Sequence, residues 1–234
     1  MSVIGIIGAM DGEIVSFCRM FNAIRIDNSD FYEGKCNNHN IIICKCGIGK
    51  VNAAICTQKL IDSFGVEYII NSGIAGSVSS KATVFDVVIS SRLTYHDFSP
   101  REFLDKYEPY CQYFKADEKL VSLAKGACDK LLGQNSDNGY LKNAKSLVGT
   151  IVSGDCFINS EQKANQLHQT FDALCTEMEG AAVAHAALRE KIPFVVIRAI
   201  SDFANSNADF DSVAFERLAA DNAAVIVHEV INNL

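Results

Sequence analysis

The chain alternates short apolar runs with longer stretches of mixed polarity. Val3–Ile7, Tyr68–Asn71, Val84–Ser90, Val148–Val152 and Phe194–Ile197 are largely apolar runs. Such runs suit strands covered on both faces of a sheet. Phe31–Cys36 and Ile41–Cys46 flank the polar turn Asn37-Asn38-His39-Asn40 and read as a strand pair. Between the runs the spacing predicts helices over Ile14–Phe21, Val51–Ser63, Ala116–Leu132, Gln162–Gln169 and Ala181–Leu188. A long C-terminal helix follows, N-capped by Asp211. Phe215, Leu218, Ala219, Ile226 and Val230 give it an apolar face. Residues 98–116 read as a long aromatic-rich loop and residues 135–145 as an exposed polar one. Strands and helices intermingle without a linker, which predicts one α/β domain over residues 1–234.

Composition narrows the function classes. A net charge of −7 argues against nucleic acid or an anionic membrane as partner. No apolar run approaches the roughly 18 residues of a membrane span. The N-terminal residues read as a strand and not as a leader, so the expected location is the cytoplasm. Nine cysteines without a Cys-x-x-Cys pair read as reduced, mostly buried thiols. Five histidines without ligand spacing predict no metal.

Polar chemistry collects at the ends of the apolar runs. In IPFVVIRAISDF, Pro193 opens a strand and Arg198, Ser201 and Asp202 arrive at its C-terminal end. That is where open α/β sheets bind ligands, so Asp202 is either a structural cap or a catalytic acid. Gly8–Glu13 joins the first strand to the first helix without the G-x-G-x-x-G of a dinucleotide site. Glu13 falls in the first helical turn, where a carboxylate also complements the helix dipole. Gly47-Ile48-Gly49-Lys50 is not a P-loop, because Cys44 replaces its first glycine and Val51 its Ser/Thr. Ser72–Ser77 is glycine-rich, either for close approach to a ligand or as a tight turn. Ser153–Ile158 ends another strand, and Glu177 and Glu179 stand at a helix start. If these segments converge, they form a pocket with several acids and few bases. Such a pocket suits a substrate that turns cationic on the way to products, as in cleavage of a glycosidic bond.

The segments IIGAMDGE, CGIGKVNAA, NSGIAG, TYHDF, IVSGDCFI, EMEGAA and VIRAISDFA together resemble those of bacterial 5'-methylthioadenosine/S-adenosylhomocysteine nucleosidases, in order and spacing over residues 2–205. The resemblance implies a three-layer α/β/α fold with a central mixed twisted sheet, of the nucleoside phosphorylase/hydrolase kind. It implies hydrolysis of 5'-thio-substituted adenosines to adenine and a thioribose, with no metal or organic cofactor, by a homodimer. Asp202 would protonate or hydrogen-bond adenine, and Ser201 and Arg198 would support Asp202 and the nearby polar network. Glu13 would activate water. Glu179 would hold the ribose hydroxyls, with Glu177 beside it and Met178 against the ribose. Phe157 would stack on adenine and the Ile158 backbone would read its edge. Ala9, Met10, Ile48, Ile74 and Gly76 would line the rest. Ile74 stands where many relatives carry Ser. Phe103, Tyr107 and Phe210 are candidates to cover the 5' tail. The rival readings are a phosphorylase, a futalosine-type hydrolase and a non-catalytic nucleoside binder.

Overall fold

The computed structural model describes residues 1–134, 144–204 and 213–234. The expected cap Asp211, the candidate Phe210 and most of the polar stretch 135–145 lie outside them, as does the side chain of Phe215. In chain order the elements are β1 (Val3–Gly8), α1 (Asp11–Met20), β2 (Ile24–Arg25), β3 (Phe31–Cys36), β4 (His39–Lys45), α2 (Lys50–Phe64), β5 (Tyr68–Ser77), β6 (Val87–Tyr95), α3 (Phe103–Lys106), β7 (Phe114–Lys115), α4 (Glu118–Gln134), β8 (Ser146–Ser153), α5 (Glu161–Phe171), β9 (Ala173–Glu177), α6 (Gly180–Arg189), β10 (Phe194–Asp202) and α7 (Val213–Asn232).

The strands form one mixed sheet, ordered β10-β6-β8-β9-β5-β1-β4-β3-β2. β5 also pairs with β10, so β5, β10, β6, β8 and β9 close a ring from which the remaining strands extend. Helices cover both faces, as period-two alternation within the apolar strands requires. Phe194 and Val196 belong to the core shared with α2 and α6. Val195 and Ile197 belong to the opposite core, shared with α1, α4 and α7. A smaller cluster, including Val152, Ile158 and Leu167, packs under α5.

Four departures from the sequence reading bear on function. β5 runs straight through the glycine-rich segment Ser72–Ser77, so that segment is strand and not turn. β10 likewise continues through Ser201 and Asp202. The β5 extension finds strand partners on both edges, β10 and β9, and the β10 extension is carried to Asp202 by its pairing with β5. β9 is a short strand wedged between two helices, unheralded by the apolar pattern. The 98–116 segment carries α3 and β7 and is not a plain loop.

The thiol expectation is corrected at one pair. Cys44 on β4 and Cys56 on α2 form a disulfide, while the other seven cysteines are free. Both residues point into the same core, between the sheet and α2.

Candidate active site

Three carboxylates are built into the cleft, each by a different device. Glu13 is the third residue of α1, after the N-cap Met10. From there its side chain reaches back over the helix start, as Glu does at this position. Its Oε2 accepts hydrogen bonds from the Ala9 and Met10 N–H groups (2.6 and 3.1 Å), and its Oε1 accepts from Ile74 N–H (3.1 Å). Gly73 makes room for this: a Cβ there would stand 2.2 Å from Glu13 Oε1. Burial raises the Glu13 pKa, opposed by the Arg198 charge and the three N–H donors.

Asp202 ends β10. Its Oδ2 accepts from the Ser201 hydroxyl and its Oδ1 from Ala204 N–H, both at 2.7 Å. The register of β10 against β5 shifts between Ile200 and Asp202, so Asp202 pairs with Gly76 one step after Ile200 pairs with Ala75. This bulge turns Asp202 to the face opposite Ile200 and Arg198.

Glu179 is the N-cap of α6. Its Oε1 accepts from Gly49 N–H (2.8 Å). Gly49 has φ 98°, a backbone that favours glycine. Burial and the neighbouring Glu177 push the Glu179 pKa up to about 7, against the pull of Gly49 N–H and Arg198. The Gly49 loop is fastened to the loops after β6 and β8: Lys50 Nζ lies 2.6 Å from Asp97 and 3.6 Å from Asp155, and Lys50 N–H donates to Asp155 (2.9 Å).

Glu177 and Arg198 form a buried ion pair, Nη2 to Oε2 at 2.5 Å. Glu177 also accepts from Gly180 N–H (2.8 Å), Glu179 N–H (3.2 Å) and the Ser153 hydroxyl. Arg198 also donates to Asn71 Oδ1 (2.5 Å). Every strong contact of this pair is internal, as a buried pair requires.

These elements enclose an open cleft of about 610 Å³, solvent included. Ala9, Met10, Glu13, Ile48, Ile74, Gly76, Phe157, Ile158, Glu177, Met178, Glu179, Ser201 and Asp202 all line it. Arg198 does not: it is 2 % exposed and is paired with Glu177 behind the cleft wall. Of the two roles expected of Arg198, the structure shows contacts with the neighbouring polar network, Glu177 and Asn71, and none with Asp202, which the bulge turns to the opposite face of β10. Phe103 and Tyr107 are exposed, pack edge-on against each other and do not line the cleft. The sequence reading missed Ala75, Cys156 and Thr176. The first two sit inside motifs already singled out, whereas Thr176 belongs to the unrecognised β9.

Among the described residues no group of His, Cys, Asp and Glu is arranged to hold a metal ion. Among them, too, no helix is long and apolar enough to cross a membrane. The chemistry available is that of carboxyl groups in contrasting environments, together with an exposed aromatic ring (Phe157, 46 % exposed) and a partly apolar wall.

The raised pKa of Glu179 carries a stability consequence. As pH rises, the unfolded chain loses this proton near the ordinary value of 4.5 and the folded chain only near 7. The stabilisation is therefore complete below 4.5 and lost as pH rises through about 7. At about 1.4 kcal/mol per pKa unit, the loss is on the order of 3 kcal/mol. Denaturant midpoints taken across this range are expected to fall for the wild type relative to Glu179→Gln. Parallel curves would contradict it.

Comparison with known proteins places this geometry. The family model of the phosphorylase superfamily matches residues 3–232. The 5'-methylthioadenosine/S-adenosylhomocysteine nucleosidase of Staphylococcus epidermidis is 37% identical over 236 residues, covering 99% of this chain and 98% of that one. A crystal structure of the nucleosidase of that name from Neisseria meningitidis, in complex with methylthio-immucillin-A, superposes with a TM-score of 0.87 at 32% identity, covering all of both chains. A futalosine hydrolase mutant of Helicobacter pylori superposes with a TM-score of 0.85 at 28% identity, again over both chains entirely. With the match spanning nearly its whole length, and the cleft formed by the segments that carry the resemblance, the chain belongs to the phosphorylase superfamily and, within it, to the 5'-methylthioadenosine/S-adenosylhomocysteine nucleosidase family.

Proposed function

We propose that this protein hydrolyses the N-glycosidic bond of 5'-methylthioadenosine, S-adenosylhomocysteine and related 5'-substituted adenosines, releasing adenine and the 5'-thioribose. The observation that carries the reading is that Glu13, Glu179 and Asp202 line one cleft to which no Lys or Arg side chain contributes among the described residues. Bond cleavage leaves a sugar with oxocarbenium character and a base that needs a proton. In this reading Asp202 delivers that proton to the unglycosylated nitrogen of the five-membered ring. Glu13, held by three N–H donors, takes a proton from the attacking water. Glu179 accepts hydrogen bonds from the ribose hydroxyls, and its negative charge favours the cationic sugar. Phe157 stacks on adenine, Ile158 offers backbone groups to its edge, and Met178 lies against the ribose.

Phosphate is disfavoured as the nucleophile. A phosphate dianion needs cations. Lys50 and Arg198, whose partners include the cleft-bordering Asp155 loop and Glu177, are already paired, Lys50 with Asp97 and Asp155 and Arg198 with Glu177. Glu13 would repel the dianion. Adenine release from methylthioadenosine should therefore proceed at the same rate with and without phosphate. Release only in its presence would make the protein a phosphorylase. Release from a futalosine-type nucleoside alone would move the substrate to the related hydrolase.

A homodimer belongs to the same reading. Val51 and Ile55 present one exposed apolar face of α2, next to exposed Ile48 of the cleft rim. A contiguous apolar patch beside a cleft suits a partner surface that helps close it. Seven free cysteines favour a cytoplasmic location, and the Cys44–Cys56 disulfide is the one feature against it.

A further inference from the structure

Among the described residues, Thr176 is the one cleft-lining residue whose buried side-chain polar atom has no partner. It is 6 % exposed, and its hydroxyl hydrogen-bonds to nothing. Buried polar groups are rarely left so, because the desolvation is uncompensated. The strand register says where Thr176 faces. Gly76 on β5 pairs with Asp202 of β10 on one side and with Thr176 of β9 on the other. Directly opposed residues project to the same face of a sheet. A Cβ at Gly76 would indeed stand 2.9 Å from Asp202 Oδ1. Asp202, Gly76 and Thr176 thus form one row across three strands, with an acid at one end, a hydroxyl at the other and no side chain between. Two strand spacings separate the ends, about 9–10 Å. A planar bicyclic base, hydrogen-bonded at each end, spans such a gap.

We propose that Thr176 is a base-recognition residue: its hydroxyl hydrogen-bonds the polar edge of the six-membered ring of the purine, opposite the nitrogen that faces Asp202. The proposal rests on the nucleosidase reading and adds to it a side chain that selects the base. A hydroxyl can donate to a ring nitrogen of that edge, while the exocyclic amine of adenine lies on the Asp202 side. Glu177, the next residue, cannot serve, because its carboxylate is engaged by Arg198, the Ser153 hydroxyl and the Glu179 and Gly180 N–H groups.

The test compares Thr176→Val and Thr176→Ser with the wild type, by calorimetric titration with adenine and by thermal melting without ligand. Thr176→Val is expected to bind adenine about tenfold more weakly, the equivalent of one hydrogen bond. Its ligand-free melting temperature should rise, since an unpaired buried hydroxyl has been removed. Thr176→Ser should keep wild-type affinity. Unchanged affinity in Thr176→Val would overturn the assignment, as would a fall in its ligand-free melting temperature, which would mean that the hydroxyl serves the fold. Absence of adenine binding by the wild type would overturn the nucleosidase reading and this proposal with it.

Discussion

Asp202→Asn is expected to reduce adenine release from methylthioadenosine by on the order of 10³-fold, the scale of a lost general acid. Adenine leaves readily only if the nitrogen on its five-membered ring is protonated or strongly hydrogen-bonded as the glycosidic bond lengthens. An amide can hydrogen-bond but has no acidic proton to transfer. The fold should tolerate the change. Asn can keep its oxygen toward Ala204 N–H and turn its amide toward Ser201 Oγ, which occupy the same sites around Asp202. The damage should therefore appear in kcat, with adenine affinity changed only a few-fold. Steady-state kinetics paired with adenine titration separates these quantities. Retention of more than about a tenth of wild-type kcat, well outside the expected range for a general acid, would remove Asp202 from the proton-transfer step.

Glu13→Gln is expected to be nearly as damaging, again on the order of 10³-fold in kcat. Two effects act together. The substitution removes the group that accepts a proton from water. It also sets an amide NH₂ among three N–H donors, from Ala9, Met10 and Ile74, that need acceptors. One of them must then go unpaired or push the side chain away, and Gly73 leaves no slack around Oε1. The pH profile distinguishes a base from a mere structural acceptor. Glu13 works only as the carboxylate, and burial raises its pKa above the ordinary 4.5. Wild-type kcat/KM should therefore climb with pH through a value above 4.5, and that limb should vanish from the residual activity of Glu13→Gln. Because Glu179 also titrates on this side, near 7, the same profile in Glu179→Gln identifies its share. Full turnover by Glu13→Gln would make the cleft one that binds nucleosides without needing this base.

Part of the site was legible from the residues themselves, and part only through the family resemblance. The apolar runs of β1, β4, β8 and β10 announce strands buried on both faces, and ligand groups gather at their ends. Glu13 falls at the start of α1 and Glu179 at the start of α6 as the local pattern predicts. Thirteen of the singled-out positions line the cleft, many of them named only through the resemblance, and they lie at helix starts and strand ends. Arg198 failed this logic. Four residues from Asp202 on one strand, it would share a face with it under strict alternation. The bulge after Ile200 inserts one step and separates the two, leaving Arg198 to neutralise Glu177 beneath the cleft. Thr176 was missed for a related reason: β9 has no apolar signature of its own and exists because β5 and β8 offer it two edges.

What the sequence by itself determined is the α/β class and the strand ends and helix starts that carry acids, since these depend on local periodicity and on residue type; the choice of Glu13, Glu179 and Asp202 among those acids came from the family resemblance. Only the tertiary structure decided which face each group looks toward, which cation is spent on which acid, and that Gly73 and Gly76 are vacancies for the carboxylates of Glu13 and Asp202 rather than turns. The physical reason is register. The side chains of a strand alternate with a period of two, so a one-residue shift moves every later group to the other face. That shift is set by hydrogen bonds to strands distant in sequence.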